Sequence, residues 1–141
     1  MDPNDFLKTI YLHDRGCTAL FIDCVRKRVS LGIDAISRIR NPSGNWDFYR
    51  DEDIENGRIV FTSVESLSLS SGPLPNDYIF AFTVEPLPRG NETAETTPRY
   101  VFRMDTGSVD KKGEFHPVTI EVVAESIHLE DPSRPGVEIV T

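Results

Sequence analysis

The segment from Ser37 to Tyr49 contains the residue types that proteins use to bind one another. It holds two arginines, a turn with proline and glycine, the only tryptophan and two further aromatic residues. Arginine, tryptophan and tyrosine are enriched at the hot spots of protein interfaces. Four carboxylates follow between positions 51 and 55. We therefore predict a partner-binding surface that comprises Arg38, Arg40, Trp46, Asp47, Tyr49, Asp51, Glu52, Asp53 and Glu55.

The same residues also have a purely structural interpretation. Trp46 and Phe48 could close one end of a sheet, and the carboxylates could form a solvated turn or a weak cation site. The acidic stretch imitates the start of a calcium loop, but an EF-hand needs glycine at its sixth position and glutamate at its twelfth. Counted from Asp51, those positions hold Asn56 and Thr62, which excludes the EF-hand.

Histidines are few and widely separated in the chain. His13-Asp14 resembles the dipeptide of metal-dependent phosphohydrolases, which need further histidine and aspartate residues on helices. The other two histidines, His116 and His128, lie in strand-like segments, so a zinc site would require all three to converge. We predict that the chain binds no metal and no cofactor. His13 or Asp14 is expected to hydrogen-bond the backbone near the first long strand.

The sequence contains no recognisable catalytic nucleophile. Cys17 and Cys24 lie seven positions apart on one predicted strand, a separation of about 23 Å that excludes a disulfide. Ser66, Ser68 and Ser70 alternate with leucines and so form a polar strand face. There is no Gly-x-Ser-x-Gly elbow, P-loop or dinucleotide-binding glycine pattern. We therefore expect binding without catalysis.

The charge balance restricts the class of partner. Fifteen Lys and Arg residues against 23 Asp and Glu residues give the chain a formal net charge of −8. Such a chain is repelled by nucleic acid and by anionic membranes. The longest nearly apolar run, Ala19–Ile22, is far shorter than the roughly 20 residues of a membrane span, and the N-terminus lacks the basic region of a signal peptide. We expect a cytoplasmic protein that binds neither nucleic acid nor membranes.

The spacing of apolar residues predicts an all-β fold. Cys17–Val25 is apolar on both faces, which is typical of a central strand, and Val29–Ala35 alternates with period two, so the two segments should pair as a hairpin. Further strand-like segments follow, with an exposed, mobile loop predicted at Pro86–Pro98. We predict an antiparallel sandwich or a partly open barrel of six to eight strands, preceded by a short helix at Asn4–Ile10.

A chain of 141 residues fits one domain, so residues 1–141 are expected to form a single β-rich unit. Residues 130–141 are predicted to be an edge strand or a tail. The aligned apolar faces of the strands predict a core that comprises Leu20, Ile22, Leu31, Ile33, Phe61, Phe82, Phe102 and Ile120.

Four short stretches give the chain a likeness to known proteins: Tyr11–Cys17, Ile36–Arg40, Trp46–Tyr49 and Gly57–Phe61. Their layout resembles small bacterial β-sheet proteins of uncharacterised families, some of which are immunity proteins of polymorphic-toxin loci. The resemblance extends as a pattern of strands over roughly residues 5 to 130. It implies an all-β fold and a protein partner, and it carries no functional residues over to this chain.

The candidate functions differ in the surface that each requires. An immunity protein that covers a basic toxin domain needs an acidic face, because complementary charge speeds encounter. A small-ligand-binding sandwich or barrel needs an apolar cavity, for which Phe21, Phe80 and Phe82 are candidates. A hydrolase needs histidines and carboxylates that converge. We expect a binding protein of the immunity class. The sequence does not predict the oligomeric state.

Overall fold

A computed structural model describes residues 1–45, 52–70, 72–93 and 95–141. Within these ranges the chain forms one short helix and eleven β-strands. The elements are α1 (Pro3–Leu7), β1 (Ile10–Tyr11), β2 (Cys17–Asp23), β3 (Arg28–Ile33), β4 (Ala35–Arg38), β5 (Glu52–Glu55), β6 (Arg58–Thr62), β7 (Ser66–Leu69), β8 (Ala81–Pro86), β9 (Tyr100–Val109), β10 (Phe115–Ala124) and β11 (Ser126–Glu130).

The strands form three antiparallel sheets. Sheet 1 has the order β11-β6-β3-β2, sheet 2 the order β7-β10-β9-β8 and sheet 3 the order β1-β4-β5. The predicted hairpin is formed by β2 and β3, in which Leu20 lies opposite Leu31. In the described parts of the chain, each sheet has an edge strand on both sides and is therefore open. The predicted all-β antiparallel fold with a short N-terminal helix is confirmed.

The helix ends earlier than predicted because the strand β1 begins soon after it. α1 begins at Pro3, and the carboxylate of the N-cap Asp2 accepts the N–H of Asn4 at 2.8 Å. The helix ends at Leu7, since Ile10 already belongs to β1. No helix among the described residues is long and apolar enough to cross a membrane.

The strands outnumber the predicted six to eight because long segments bend and change sheet. β6 and β10 both bend at one corner, beyond which their continuations β7 and β11 exchange partners: β7 pairs with β10, and β11 pairs with β6. Glu65 N donates to Val123 O at 2.8 Å across this corner. Ser63 makes the turn after β6 with a φ of 50°. Strands that switch sheets in this way join two packed layers.

A second corner connects sheet 1 to sheet 3. β3 continues into β4 while β5 continues into β6, and Asn56 N donates to Asp34 O at 2.8 Å beside the bend. A Cβ atom on Gly57 would lie 2.7 Å from Ile36 Cδ1, so glycine permits the close approach of the two strands. This corner places β5 at the edge of sheet 3.

One hydrophobic core joins sheets 1 and 2 and extends to sheet 3 and α1. The Phe61 ring on β6 contacts the Phe102 ring on β9, with 5.0 Å between centroids, and meets the Phe82 ring edge-on at 6.4 Å. Leu20 and Phe82 are half-buried. Five of the predicted core residues are fully buried: Leu31, Ile33, Phe61, Phe102 and Ile120.

The prediction that Ile22 is buried is wrong, because its side chain is 56 % exposed. Ile22 lies opposite the buried Val29, so the predicted phase of the strand is right. However, β2 is an edge strand of sheet 1 rather than a central strand. Ile22 stands near the end of this edge strand, beside an exposed turn, where little of the molecule covers it.

Candidate functional site

Strand β5 forms one edge of sheet 3 and carries exposed carboxylates. Glu52, Asp53 and Glu55 are exposed, whereas Ile54 between them is buried. Side chains alternate across a strand, so Asp53 and Glu55 share one face while Glu52 lies on the face of Ile54. The predicted acidic cluster is therefore divided between two faces of the strand.

Glu52 neutralises a buried cation on the neighbouring strand. Arg38 lies opposite Glu52 in the β4–β5 register. Arg38 is buried, and its Nη1 atom lies 2.9 Å from Glu52 Oε2. A buried charge that loses its partner is strongly destabilising. Glu52 thus helps to hold β5 against β4, and its charge is not free for a partner.

Both predicted arginines contact the last residue of the chain. Arg38 Nη2 and Arg40 Nη2 donate to the backbone oxygen of Thr141, the second at 2.9 Å. The two arginines therefore share one side of the chain, as their spacing predicts. Arg40 is exposed, so it is the more accessible of the two predicted basic residues.

Asp53 and Glu55 form no ion pair with any residue that the structure describes. Opposite Asp53 lies Ser37, whose buried Oγ accepts a hydrogen bond from Arg15 Nη2 at 2.7 Å. One guanidinium thus lies on the Asp53 face, but it is bound to the serine hydroxyl. Within the described part of the chain, no ion pair competes with an external cation for these two carboxylates.

Four of the predicted site residues, Trp46, Asp47, Tyr49 and Asp51, lie outside the described residues. Their part in a binding surface stays a prediction. In the sequence they come directly before β5, which begins at Glu52.

The three histidines lie in different environments. His13 packs against a tyrosine ring, His128 Nε2 lies 3.1 Å from Glu130 Oε1, and His116 Nε2 lies 3.1 Å from Asp110 Oδ2. Within the described ranges, no cluster of possible metal ligands contains two histidines. The three-histidine convergence considered from the sequence is therefore not formed there.

Asp110, Glu114 and His116 form a cluster that sequence reasoning missed. They lie at the tip of the β9–β10 hairpin, and each offers a ligand atom within 4.8 Å of the other two. The hydrogen bond from His116 holds the pKa of Asp110 below its usual value, and backbone N–H groups act in the same direction. The signal in the sequence is an Asp-x₃-Glu-x-His spacing around the turn glycine, Gly113.

Two of the three aromatic residues considered for a ligand cavity line one groove of the described structure. Phe80 and Phe82 line a surface groove of about 390 Å³ next to α1. Phe21 lies on β2 in another sheet, with the Arg58 guanidinium 4.3 Å from its ring centroid. Phe21 is not among the residues that line this groove.

The β8–β9 loop is exposed, as predicted. Ion pairs connect it to the corner at which β6 and β10 bend. Arg89 Nη1 and Arg99 Nη1 contact the two carboxylate oxygens of Glu65 at 2.8 and 2.5 Å. Arg89 Nη2 also lies 3.4 Å from Glu125 Oε1. Hydrogen bonding from Arg99, supported by Arg89, holds the pKa of Glu65 below its usual value. Glu65 and Glu125 flank the bends that connect sheets 1 and 2.

The fold and this surface define an all-β antiparallel protein with an acidic edge strand. The chain belongs to a family of unknown function, DUF6258, which matches it over residues 1–141. No curated protein and no solved structure matches the chain.

Proposed function

We propose that this chain is a non-catalytic, cytoplasmic binding protein whose edge strand β5 receives a basic protein partner. One observation carries the proposal: Asp53 and Glu55 share an exposed face of an edge strand and have no ion pair with the described residues. The formal net charge of −8 adds a long-range field of the same sign. Complementary fields accelerate encounter and orient the partner before contact.

The backbone of β5 offers a second element of recognition. Among the residues that the structure describes, β5 pairs with β4 on one side only, so no described strand pairs with the N–H and C=O groups of its outer edge. An extended segment of a partner can add to such an edge as a further strand. Carboxylates beside the edge favour a basic segment and repel an acidic one, which includes a second copy of this chain.

Within this function, we propose a basic bacterial toxin domain as the partner, with this chain as its immunity protein. A nuclease is the most suitable class of toxin, because its positive surface is built to bind phosphates and is attracted to carboxylates. The support is the acidic edge strand together with the resemblance carried by Tyr11–Cys17 and Gly57–Phe61. Co-expression with a toxin encoded next to this gene is expected to restore growth, and failure to protect would contradict the immunity role.

Affinity capture from the native host tests the binding surface. The bait is the tagged chain, compared with an Asp53→Lys, Glu55→Lys variant and with a Glu95→Lys, Glu138→Lys control. Each variant replaces two carboxylates with two lysines, so both have the same formal net charge. Glu95 and Glu138 are exposed and lie outside β5. We expect the wild type and the control to retain the same basic protein and the β5 variant to lose it. Equal retention by all three baits, with unchanged circular dichroism, would place the interface elsewhere.

A further inference from the structure

We propose that the tip of the β9–β10 hairpin binds a divalent transition metal ion of the zinc class through Asp110, Glu114 and His116. The three side chains present two carboxylates and one imidazole within 4.8 Å of one another. Zinc accepts histidine and carboxylate ligands together, whereas calcium and magnesium take oxygen ligands. The imidazole therefore selects a borderline transition metal and distinguishes this cluster from the acidic surface of β5.

The distance between two of the donor atoms fits a shared ion. His116 Nε2 lies 3.1 Å from Asp110 Oδ2. Two ligands that are each about 2.1 Å from a tetrahedral zinc ion lie about 3.4 Å apart. A metal ion can therefore replace the hydrogen bond between these groups after they separate by a few tenths of an ångström.

The turn holds Asp110 in position before any metal binds. Asp110 Oδ1 accepts the N–H groups of Lys112 and Glu114 at 2.8 and 3.0 Å, which leaves Oδ2 directed to His116. The turn closes through Asp110 N and Glu114 O at 3.0 Å, and Gly113 supplies the required φ of 80°. Little ordering of Asp110 is needed on binding, because this geometry already exists.

The surroundings of the cluster leave it open to an ion from solution. Asp110 and Glu114 are exposed and His116 is half-exposed. Three protein ligands leave at least one coordination position to water. Lys111 and Lys112 lie on the same turn and oppose a cation, although their long side chains are exposed and free to turn away.

Titration of the full-length chain with cobalt(II) tests the site, because visible absorption of cobalt reports both stoichiometry and coordination geometry. The variants are His116→Gln and Glu114→Gln, and the control is His13→Gln, which removes an exposed histidine elsewhere. We expect the wild type and the control to bind one cobalt ion per chain, and zinc to displace it. Each cluster variant is expected to bind at least about tenfold more weakly, since it lacks a ligand.

Two results would overturn the proposal. One is the absence of stoichiometric cobalt binding by the folded wild type, as the sequence-based prediction of no metal site requires. The other is equal affinity of the wild type and both cluster variants. Thermal unfolding without metal shows whether each variant is folded, and the Glu114→Gln result stands alone if His116→Gln does not fold.

Discussion

Ile22 and Ile33 are the same residue type in one hairpin, yet they differ completely in burial. Ile33 is fully buried, whereas Ile22 is 56 % exposed at the end of an edge strand. Ile33→Ala should therefore lower the free energy of unfolding by about 2–5 kcal/mol, because it leaves a cavity in the core. Ile22→Ala should cost about 1 kcal/mol or less. Reversible urea titrations measure both values, and similar losses for the two variants would contradict the described burial.

Arg38 and Arg40 show what the sequence does not predict about the binding surface. Arg38 and Arg40 were predicted together as partner-binding residues, and nothing in their local pattern separates them. Arg38 is held inside the fold by its ion pair with Glu52, which is fourteen positions away in the sequence. Residue type therefore predicts which side chains can bind a partner, whereas strand pairing decides which of them are needed inside the fold.

We expect the attachment of the β8–β9 loop to depend on pH. The pKa of Glu65 is lowered in the folded protein by hydrogen bonds from Arg99 and Arg89. A lowered folded pKa stabilises the protein fully above the pKa of the unfolded chain, and this stabilisation is lost as the pH falls through the folded value. Glu65→Gln should therefore be less stable than the wild type at neutral pH and equally stable at low pH.

Urea titrations at neutral and acidic pH measure this effect, with Glu138→Gln as a control on an exposed glutamate outside the network. Hydrogen exchange at Leu87 N, which donates to Arg99 O at 2.9 Å, reports the loop itself. A stability difference between wild type and Glu65→Gln that persists unchanged at low pH would refute the role of the carboxylate charge.

The same corner shows how far the elements were predictable. The apolar residues of Arg58–Leu69, and those of the segment from Val118 to Leu129, alternate with a slip of phase in each segment, and this alternation predicts one long strand per segment. It did not predict that each segment changes sheet at its slip. That change depends on pairing between distant residues such as Thr62 and Ser126, which lie in register 64 positions apart. Long-range register of this kind is not encoded in a local pattern.

At the scale of the whole molecule, composition and the period-two spacing of apolar residues predict the all-β class. The sequence also predicts the acidic stretch as one surface. The structure divides that stretch between two faces, with Glu52 on one and Asp53 and Glu55 on the other. The hairpin-tip cluster was missed because Asp110 and His116 meet only when β9 and β10 pair in register. Both outcomes depend on strand pairing, because pairing decides which side chains lie next to each other in space. The sequence gives only their order along the chain.

The central claim is that the acidic edge strand β5 attracts and binds a basic partner, and association kinetics test it most directly. The measurement compares the wild type with the Asp53→Lys, Glu55→Lys variant and the Glu95→Lys, Glu138→Lys control, against the captured partner, over a range of salt concentrations. We expect the β5 variant to associate more slowly than the control at low salt. We expect its dissociation rate to change less than its association rate. The deficit should shrink at high salt, because salt screens exposed charges. Association of the β5 variant as fast as that of the control at low salt would contradict the claim.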